Sequence, residues 1–238
     1  MKTQYLPDFK FPKTVKSILV FVAHPDDESA FTSGLINKAI REKLDVRVIV
    51  MSKGENSTNR YRLDPNMDLA STREYELINA LQKLGVSNYS IENLPDGGLS
   101  NYTEEMLKII DFERNQKATQ LFVTLEPSGI YGHPDHIALT QTVTQYTDIY
   151  NLPLIFATIK QQIMPAQDML SMGIDPELIS PLEPSHKISL NLEARIRKYL
   201  ALRAHRSQFE HSLKWTYDWY KKGLFTEEYY TLNYDYEI

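Results

Sequence analysis

Short apolar runs alternate with amphipathic segments along much of the chain. The runs are rich in β-branched and aromatic residues, as in strands buried on both faces, and lie at 18–23, 46–51, 89–94, 120–125 and 154–159. Between them, apolar residues recur at helical spacing, which predicts helices over 28–44, 69–84, 104–115 and 137–149. Such alternation is typical of βαβ units. It predicts an α/β fold with a Rossmann-like, mostly parallel sheet and helices on both faces.

The rest of the chain is less regular. Residues 161–184 contain several methionines and prolines and match no element. Weaker patterns predict a strand at 187–192, a helix at 192–208 and an aromatic edge strand at 227–238. Trp215 and Trp219 suit one face of a short helix. We expect one domain over 1–238, with a core of about 17–210 and a C-terminal appendage of about 211–238.

Composition narrows the class of protein. The hydrophobic fraction of 42% and charged fraction of 24% are ordinary for a soluble globular protein, and a net charge of −5 gives no sign of a nucleic-acid partner. The chain has no cysteine, so any metal must be held by histidine and carboxylate. No apolar run resembles a secretory signal or a membrane span. We therefore expect a cytoplasmic protein.

The first segment with candidate chemistry is His24-Pro25-Asp26-Asp27-Glu28, directly after the strand at 18–23. Imidazole and carboxylate are suitable zinc ligands, and a turn between strand and helix can aim His24 and Asp27 at one point. Asp26 would then lie beside the metal, where it could take a proton from a water on the metal. The alternative is that the three acidic residues only stabilise the start of the helix.

The second segment is Tyr131-Gly132-His133-Pro134-Asp135-His136, again between a predicted strand and a helix. One further histidine would complete three protein ligands with an open position, the pattern of catalytic zinc sites. The other histidine would be free for proton transfer. Ligands bind at the carboxyl ends of strands in open α/β sheets, so we expect both segments to meet at one edge. An isolated histidine is more often structural, but two similar His-Pro-Asp turns argue against coincidence.

Together, the sequence AHPDDE and the later HPDH resemble the signature of the PIG-L/LmbE-like family of zinc-dependent N-acetylglucosamine de-N-acetylases. Further matches are a Gly-Glu pair, an R-E…A…LG helix, an LPDG turn and a late K…H-x-SQ helix. These lie at Gly54-Glu55, Arg73 to Gly85, Leu94 to Gly97 and Lys198 to Gln208. The resemblance covers roughly residues 17–210. One departure is Pro127-Ser128-Gly129-Ile130, where many relatives have a Gly-Gly pair nearer the tyrosine.

The resemblance implies a role for each matching residue. It implies one zinc ion per chain, held by His24, Asp27 and His136, although histidine and carboxylate sites accept other divalent metals. The implied catalytic residues are Asp26 as general base, His133 as general acid and Tyr131 as a donor to the acetyl carbonyl. Asp135 is expected to orient His133 or His136. Implied substrate contacts are Arg73, Asp96, Glu55 and His205.

The function implied is removal of an N-acetyl group from an amino sugar or glycoside, such as N-acetylglucosaminyl malate or a similar conjugate, by metal-activated water. One alternative keeps the site but takes a non-sugar N-acyl compound. Another is an α/β domain that binds a metal or ligand without catalysis. No G-x-G-x-x-G follows the first strand, so a dinucleotide is not expected. The resemblance leaves open a homo-oligomer.

Overall fold

The computed structural model describes residues 5–64, 66–116, 120–160, 162–171 and 173–233. Its strands are β1 Ser17–Val22, β2 Asp45–Ser52, β3 Tyr89–Leu94, β4 Gln120–Leu125, β5 Leu154–Thr158, β6 His186–Ser189 and β7 Glu227–Leu232. They form one sheet in the order β3-β2-β1-β4-β5-β7-β6. The five strands predicted from the apolar runs are therefore confirmed as elements of a single sheet.

The sheet is parallel from β3 to β5 and antiparallel at its far edge. β1 pairs in parallel with β2 and β4, whereas β7 runs antiparallel to both β5 and β6. The prediction of a mostly parallel sheet is confirmed. The segment predicted as an appendage contributes β7 to this sheet, between β5 and β6. Residues 234–238 of the predicted edge strand lie outside the described residues.

Helices cover both faces of the sheet. They are α1 Asp27–Phe31, α2 Ser33–Arg41, α3 Leu69–Leu84, α4 Thr103–Arg114, α5 Gly129–Gly132, α6 Pro134–Tyr150, α7 Ala166–Ser171, α8 Leu192–Ala204 and α9 Leu213–Lys221. In β1, Val20 and Val22 belong to one buried cluster, with residues of α2, α3 and α8, while Leu19 and Phe21 belong to another, with residues of α4 and α6. The continuous apolar run at 18–23 therefore reflects burial on both faces.

The single helix predicted over 28–44 is wrong, because the chain forms two helices there. Thr32 leaves helical geometry (φ −128°, ψ 1°) between α1 and α2. The backbone N–H groups of Gly34 and Leu35, which have no acceptor within the first turn of α2, donate to Glu228 of β7, at 2.8 and 3.2 Å. A carboxylate from the far end of the chain thus caps α2, which local periodicity could not reveal.

The segment at 161–184 carries α7 and a short 3₁₀ turn at Pro176–Leu178. Gln161 and Met172 lie outside the described residues. The helix predicted over 192–208 ends at Ala204, because His205 leaves helical geometry (φ −77°, ψ 64°). Across the described part of the chain, no helix combines the length and apolarity that crossing a membrane requires.

Candidate metal centre and active site

Both histidine segments lie at the carboxyl edge of the sheet. The first follows β1 and the second follows β4, and these strands are parallel neighbours. Strand order reverses here, because the chain passes outward from β1 to β3 on one side and continues from β4 on the other. Open α/β sheets bind ligands at such a point. The topology therefore brings together residues that are more than a hundred positions apart in sequence.

Three side chains converge there in a geometry that fits one metal ion. His24 Nδ1 lies 3.2 Å from His136 Nε2 and 3.6 Å from Asp27 Oδ2, and His136 Nε2 lies 3.3 Å from Asp27 Oδ2. Tetrahedral ligand atoms about 2.0–2.1 Å from one zinc ion are roughly 3.3–3.4 Å apart. All three side chains are buried. His24, His133 and His136 also form a possible metal group. The ligand atoms of that group are within 4.8 Å of one another, whereas those of His24, Asp27 and His136 are within 3.6 Å.

The outer nitrogen of each of these two imidazoles lies next to an oxygen acceptor. His24 Nε2 is 3.2 Å from Asp135 Oδ2 and 3.0 Å from Asp96 Oδ1, and His136 Nδ1 is 3.2 Å from the carbonyl oxygen of Gly129. Such contacts fix the tautomer and leave the inner nitrogens as metal ligands. The carboxylate of Asp135 therefore orients His24 rather than His133 or His136, whereas the backbone N–H of Asp135 donates to His133 Nδ1 at 3.2 Å.

Asp26 lies beside this group with a side chain that is 20% exposed. Its Oδ2 accepts from Arg73 Nη2 at 3.2 Å, while Arg73 also donates to the carbonyl oxygens of Pro25 and Gly54, at 2.5 and 2.8 Å. Burial raises the pKa of Asp26 to about 6, against the opposing charge of Arg73. The arrangement is suited to a carboxylate that accepts a proton near neutral pH.

The backbone at Asp26 is strained. Asp26 has φ 121° and ψ −26°, a backbone conformation that L-residues other than glycine rarely adopt. Strain of this kind costs on the order of 1–3 kcal/mol and persists only where the surroundings impose it. Glu28 contributes to this constraint, because its Oε2 accepts the backbone N–H of Asp26 at 2.9 Å.

The rings of Tyr131 and His133 pack against the histidines of the metal group. The ring of His133 lies 4.7 Å, between centroids, from both His24 and His136, and 5.9 Å from Tyr131. Burial, together with the neighbouring charges of His136 and His24, lowers the pKa of His133 to about 3. Burial and the nearby carboxylates of Asp27 and Asp26 raise the pKa of Tyr131 well above its usual value. Tyr131 is therefore a neutral phenol that can donate a hydrogen bond.

A second strained residue precedes Tyr131. Ile130 has φ 68° and ψ −60°, which is rare for a β-branched residue. Glu126, fully buried at the end of β4, accepts the N–H groups of Ile130 and Ser128 and the hydroxyl of Ser128, at 2.5, 2.9 and 2.6 Å. The same turn presents the Gly129 carbonyl oxygen to His136. The departure noted at 127–130 thus forms a turn organised by a buried carboxylate.

The four predicted substrate contacts occupy different environments. Arg73 is buried and supports Asp26, and His205 is fully buried against Glu28, at 2.9 Å. Asp96 is also buried; despite the opposing effect of burial, the hydrogen bond and charge of His24 lower its pKa to about 2. Glu55 is partly exposed and accepts from the backbone N–H of Asp96 at 3.0 Å. Arg73 and His205 are therefore placed behind the site rather than on its open surface.

Sequence reasoning assigned no role to Glu126 and offered Glu28 only as a helix-stabilising residue. Glu28 belongs to the first motif, and Glu126 directly follows the strand that leads to the second, so their positions were a usable signal. Local sequence did not reveal that each carboxylate accepts the backbone N–H of a strained residue, Asp26 for Glu28 and Ile130 for Glu126.

An α/β sheet that carries two histidines and one aspartate at the point where its strand order reverses has the architecture of a metalloenzyme. Residues 19–147 match the family described as PIG-L, GlcNAc-PI de-N-acetylase, and this match spans more than half of the chain. The chain belongs to the PIG-L family.

Relatives and solved structures extend this comparison. The chain is 28% identical over 231 residues to the 1D-myo-inositol 2-acetamido-2-deoxy-α-D-glucopyranoside deacetylase of Mycolicibacterium vanbaalenii, with 80% of each chain covered. It shares its fold with N,N′-diacetylchitobiose deacetylase from Pyrococcus horikoshii, with TM-score 0.62, 20% identity, and 91% and 83% of the two chains covered. The fold is also that of GalB, the 4-carboxy-2-hydroxymuconate hydratase of Pseudomonas putida KT2440, with TM-score 0.64, 15% identity, and 94% and 98% covered. Because a hydratase has this fold too, the reaction has to be argued from the site.

Proposed function

We propose that this chain is a metal-dependent deacetylase that removes the N-acetyl group of an amino sugar conjugate. The observation that carries the proposal is the group of three ligand atoms 3.2–3.6 Å apart with Asp26 beside it. The relative from Mycolicibacterium vanbaalenii is a deacetylase of an acetamido sugar glycoside, which supports the same substrate class here. A conjugate such as N-acetylglucosaminyl malate is a suitable first candidate.

We propose one zinc ion per chain, held by His24, Asp27 and His136. Two imidazoles and one carboxylate are a donor set that zinc favours, and iron or another divalent metal is the alternative. When bound, such an ion supplies the Lewis acidity that lowers the pKa of a water ligand from 15.7 toward about 7. Asp135 and Asp96 hold the ring of His24 in the orientation this requires.

The remaining residues supply proton transfer and charge stabilisation. Asp26 takes a proton from the attacking water, and Arg73 keeps its carboxylate turned toward the site. Tyr131 donates a hydrogen bond to the acetyl carbonyl oxygen as negative charge develops on it. His133 is neutral in the resting site because its pKa is lowered to about 3, so the proton that it passes to the departing nitrogen is the one that Asp26 removes from the attacking water. Of the predicted sugar contacts, Glu55 keeps that role in our proposal, because it is partly exposed and hydrogen-bonded to Asp96, which contacts His24.

The experiment is acetate release from a panel of N-acetyl amino sugars, run with metal-stripped and zinc-restored protein. The panel includes N-acetylglucosaminyl malate, diacetylchitobiose and an acetylated amino acid as the non-sugar member. We expect release from a sugar only after metal is restored. Release from the acetylated amino acid alone would favour the non-sugar alternative. No release despite one bound ion per chain would favour a metal-binding domain without catalysis.

A further inference from the structure

The first motif turn contains a buried carboxylate that the proposed reaction does not use. Glu28 is fully buried, and its two oxygens receive three hydrogen bonds. We infer that Glu28 and His205 form a pair that positions Asp26 for its role as base. The inference rests on the proposed function, since it concerns a residue of that reaction.

The conformation of Asp26 gives the first argument. Aspartate at the start of a helix ordinarily accepts backbone N–H groups of the first turn with its own side chain. Asp26 precedes α1 but makes no such hydrogen bond. Its side chain instead points to Arg73, and Glu28 Oε2 accepts the N–H of Asp26 at 2.9 Å. Glu28, at the second helical position, accepts the N-cap N–H that the N3 glutamate accepts in a capping box, which leaves the Asp26 carboxylate free for chemistry.

The second argument is how Glu28 itself is held. Its Oε1 accepts from His205 Nε2 at 2.9 Å and from the Ser29 hydroxyl at 2.5 Å. His205 Nδ1 is buried and has no hydrogen-bond partner among the described residues. The ring therefore makes its hydrogen bonds among the described residues through Nε2, which faces Glu28 at 2.9 Å and the Ser29 hydroxyl at 3.5 Å.

The third argument is where His205 is anchored. The chain after His205 is fixed to α3, because the N–H and hydroxyl of Ser207 donate to Glu76 at 2.9 and 2.7 Å. Arg73, the side-chain partner of Asp26, lies on the same helix, three residues before Glu76. The backbone and the side chain of Asp26 are therefore held by two routes that both lead to α3. These hydrogen bonds on both the backbone and the side chain keep Asp26 in place despite its strained φ.

The primary test compares kcat, KM and bound metal for Glu28→Leu and Glu28→Gln. Leucine cannot accept the Asp26 N–H, so we expect kcat to fall about 10–100-fold, the range seen when outer supports of a site are removed. KM should change far less, and one ion per chain should remain bound. Glutamine keeps an oxygen for that N–H and should restore most of the activity.

The matching pair of variants changes the other partner of the hydrogen bond: His205→Leu and His205→Gln. The glutamine amide can still donate to Glu28, so we expect it to retain more kcat than leucine does. If Glu28→Leu does not fold, this pair and Glu28→Gln carry the test. The matched control is Glu113→Leu, which removes another buried carboxylate, paired with Arg47 away from the site. The control should lower thermal stability while leaving kcat of the folded protein unchanged.

A readout independent of turnover is the imidazole N–H signal of His205 in ¹⁵N NMR of metal-free protein. We expect a slowly exchanging Nε2 proton, assigned by its absence in His205→Gln, that is lost in Glu28→Leu. The inference is overturned if Glu28→Leu keeps wild-type kcat, if leucine and glutamine variants lose activity equally, or if the loss follows loss of metal. Failure of the wild-type protein on every panel substrate would instead reject the proposed function.

Discussion

The two motif turns are built alike, but the residue with the strained backbone has a different part in each. In each, a non-glycine residue at positive φ follows a buried strand, and a buried glutamate accepts its N–H: Glu28 for Asp26, and Glu126 for Ile130. In the first turn the strained residue is the proposed base. In the second it is apolar, and the turn acts through the Gly129 carbonyl oxygen on His136 and through Tyr131. Changing the strained residue of the first turn, Asp26, should therefore affect rate, whereas removing the glutamate that holds the second turn, Glu126, should affect metal binding as well.

The largest effect is expected from Asp26→Asn. The change keeps the shape and the hydrogen bond from Arg73 but removes the base. General acid–base catalysis contributes typically 10²–10⁴-fold, so we expect kcat to fall by about that range. Asp148→Asn, on the exposed far end of α6, is the matched control and should retain full activity. Activity of Asp26→Asn close to that of the wild-type protein would reject the first turn as the source of the base.

Tyr131→Phe is expected to have the next largest effect. It removes the phenolic donor while keeping the ring that packs against His133 and His136. Loss of one donor to a developing oxyanion costs about 10²–10³-fold in kcat. Steady-state kinetics with equal metal loading measures this. A change confined to KM would mean that Tyr131 binds substrate without stabilising the transition state.

Glu126→Leu should show that the second turn supports metal binding and not only the rate. Without the carboxylate, the N–H groups of Ser128 and Ile130 lose their acceptor, and the Gly129 carbonyl oxygen is no longer held against His136. Outer partners of metal ligands are worth about 10–100-fold in metal affinity, so we expect a loss in that range by competition with a chelator. Glu113→Leu is again the control. If zinc affinity is unchanged and only kcat falls, the proposed difference between the turns is wrong.

The smallest effect is expected in stability, and its sign should differ between the turns. Asp26→Gly relieves the backbone strain and removes a partly exposed carboxylate, so we expect metal-free protein to gain about 1 kcal/mol in free energy of unfolding. Ile130→Gly relieves similar strain but deletes a fully buried side chain, which typically costs about 2–5 kcal/mol. Denaturant unfolding of both variants measures the difference. A loss of stability in Asp26→Gly would show that Asp26 is not strained.

Much of the fold followed from local patterns, because apolar runs and helical spacing report burial directly. The break at Thr32 did not, since its cap comes from Glu228, almost two hundred residues away. The spacing of His24, Asp27 and His136 indicated a metal site, but not which acceptor faces each outer nitrogen. Asp135 reaches His24 rather than its own neighbours because Gly97 and Leu99 hold its carboxylate, at 2.7 and 3.0 Å.

The substrate contacts were the weakest predictions for a related reason. Motif position places a residue near the site but does not say whether its side chain faces the open pocket or the layer behind it. Arg73 and His205 lie in that layer, where long-range packing with α1 and α3 decides their partners.

The most direct test of the central claim is zinc affinity measured for two neighbouring isosteric variants, Asp26→Asn and Asp27→Asn. We assign Asp27 to the metal and Asp26 to proton transfer, although they are adjacent in sequence. The account predicts that Asp26→Asn binds one ion with near wild-type affinity while its kcat falls about 10²–10⁴-fold, and that Asp27→Asn loses most of its affinity for zinc. Equal loss of affinity in both variants, or wild-type affinity in Asp27→Asn, would contradict it.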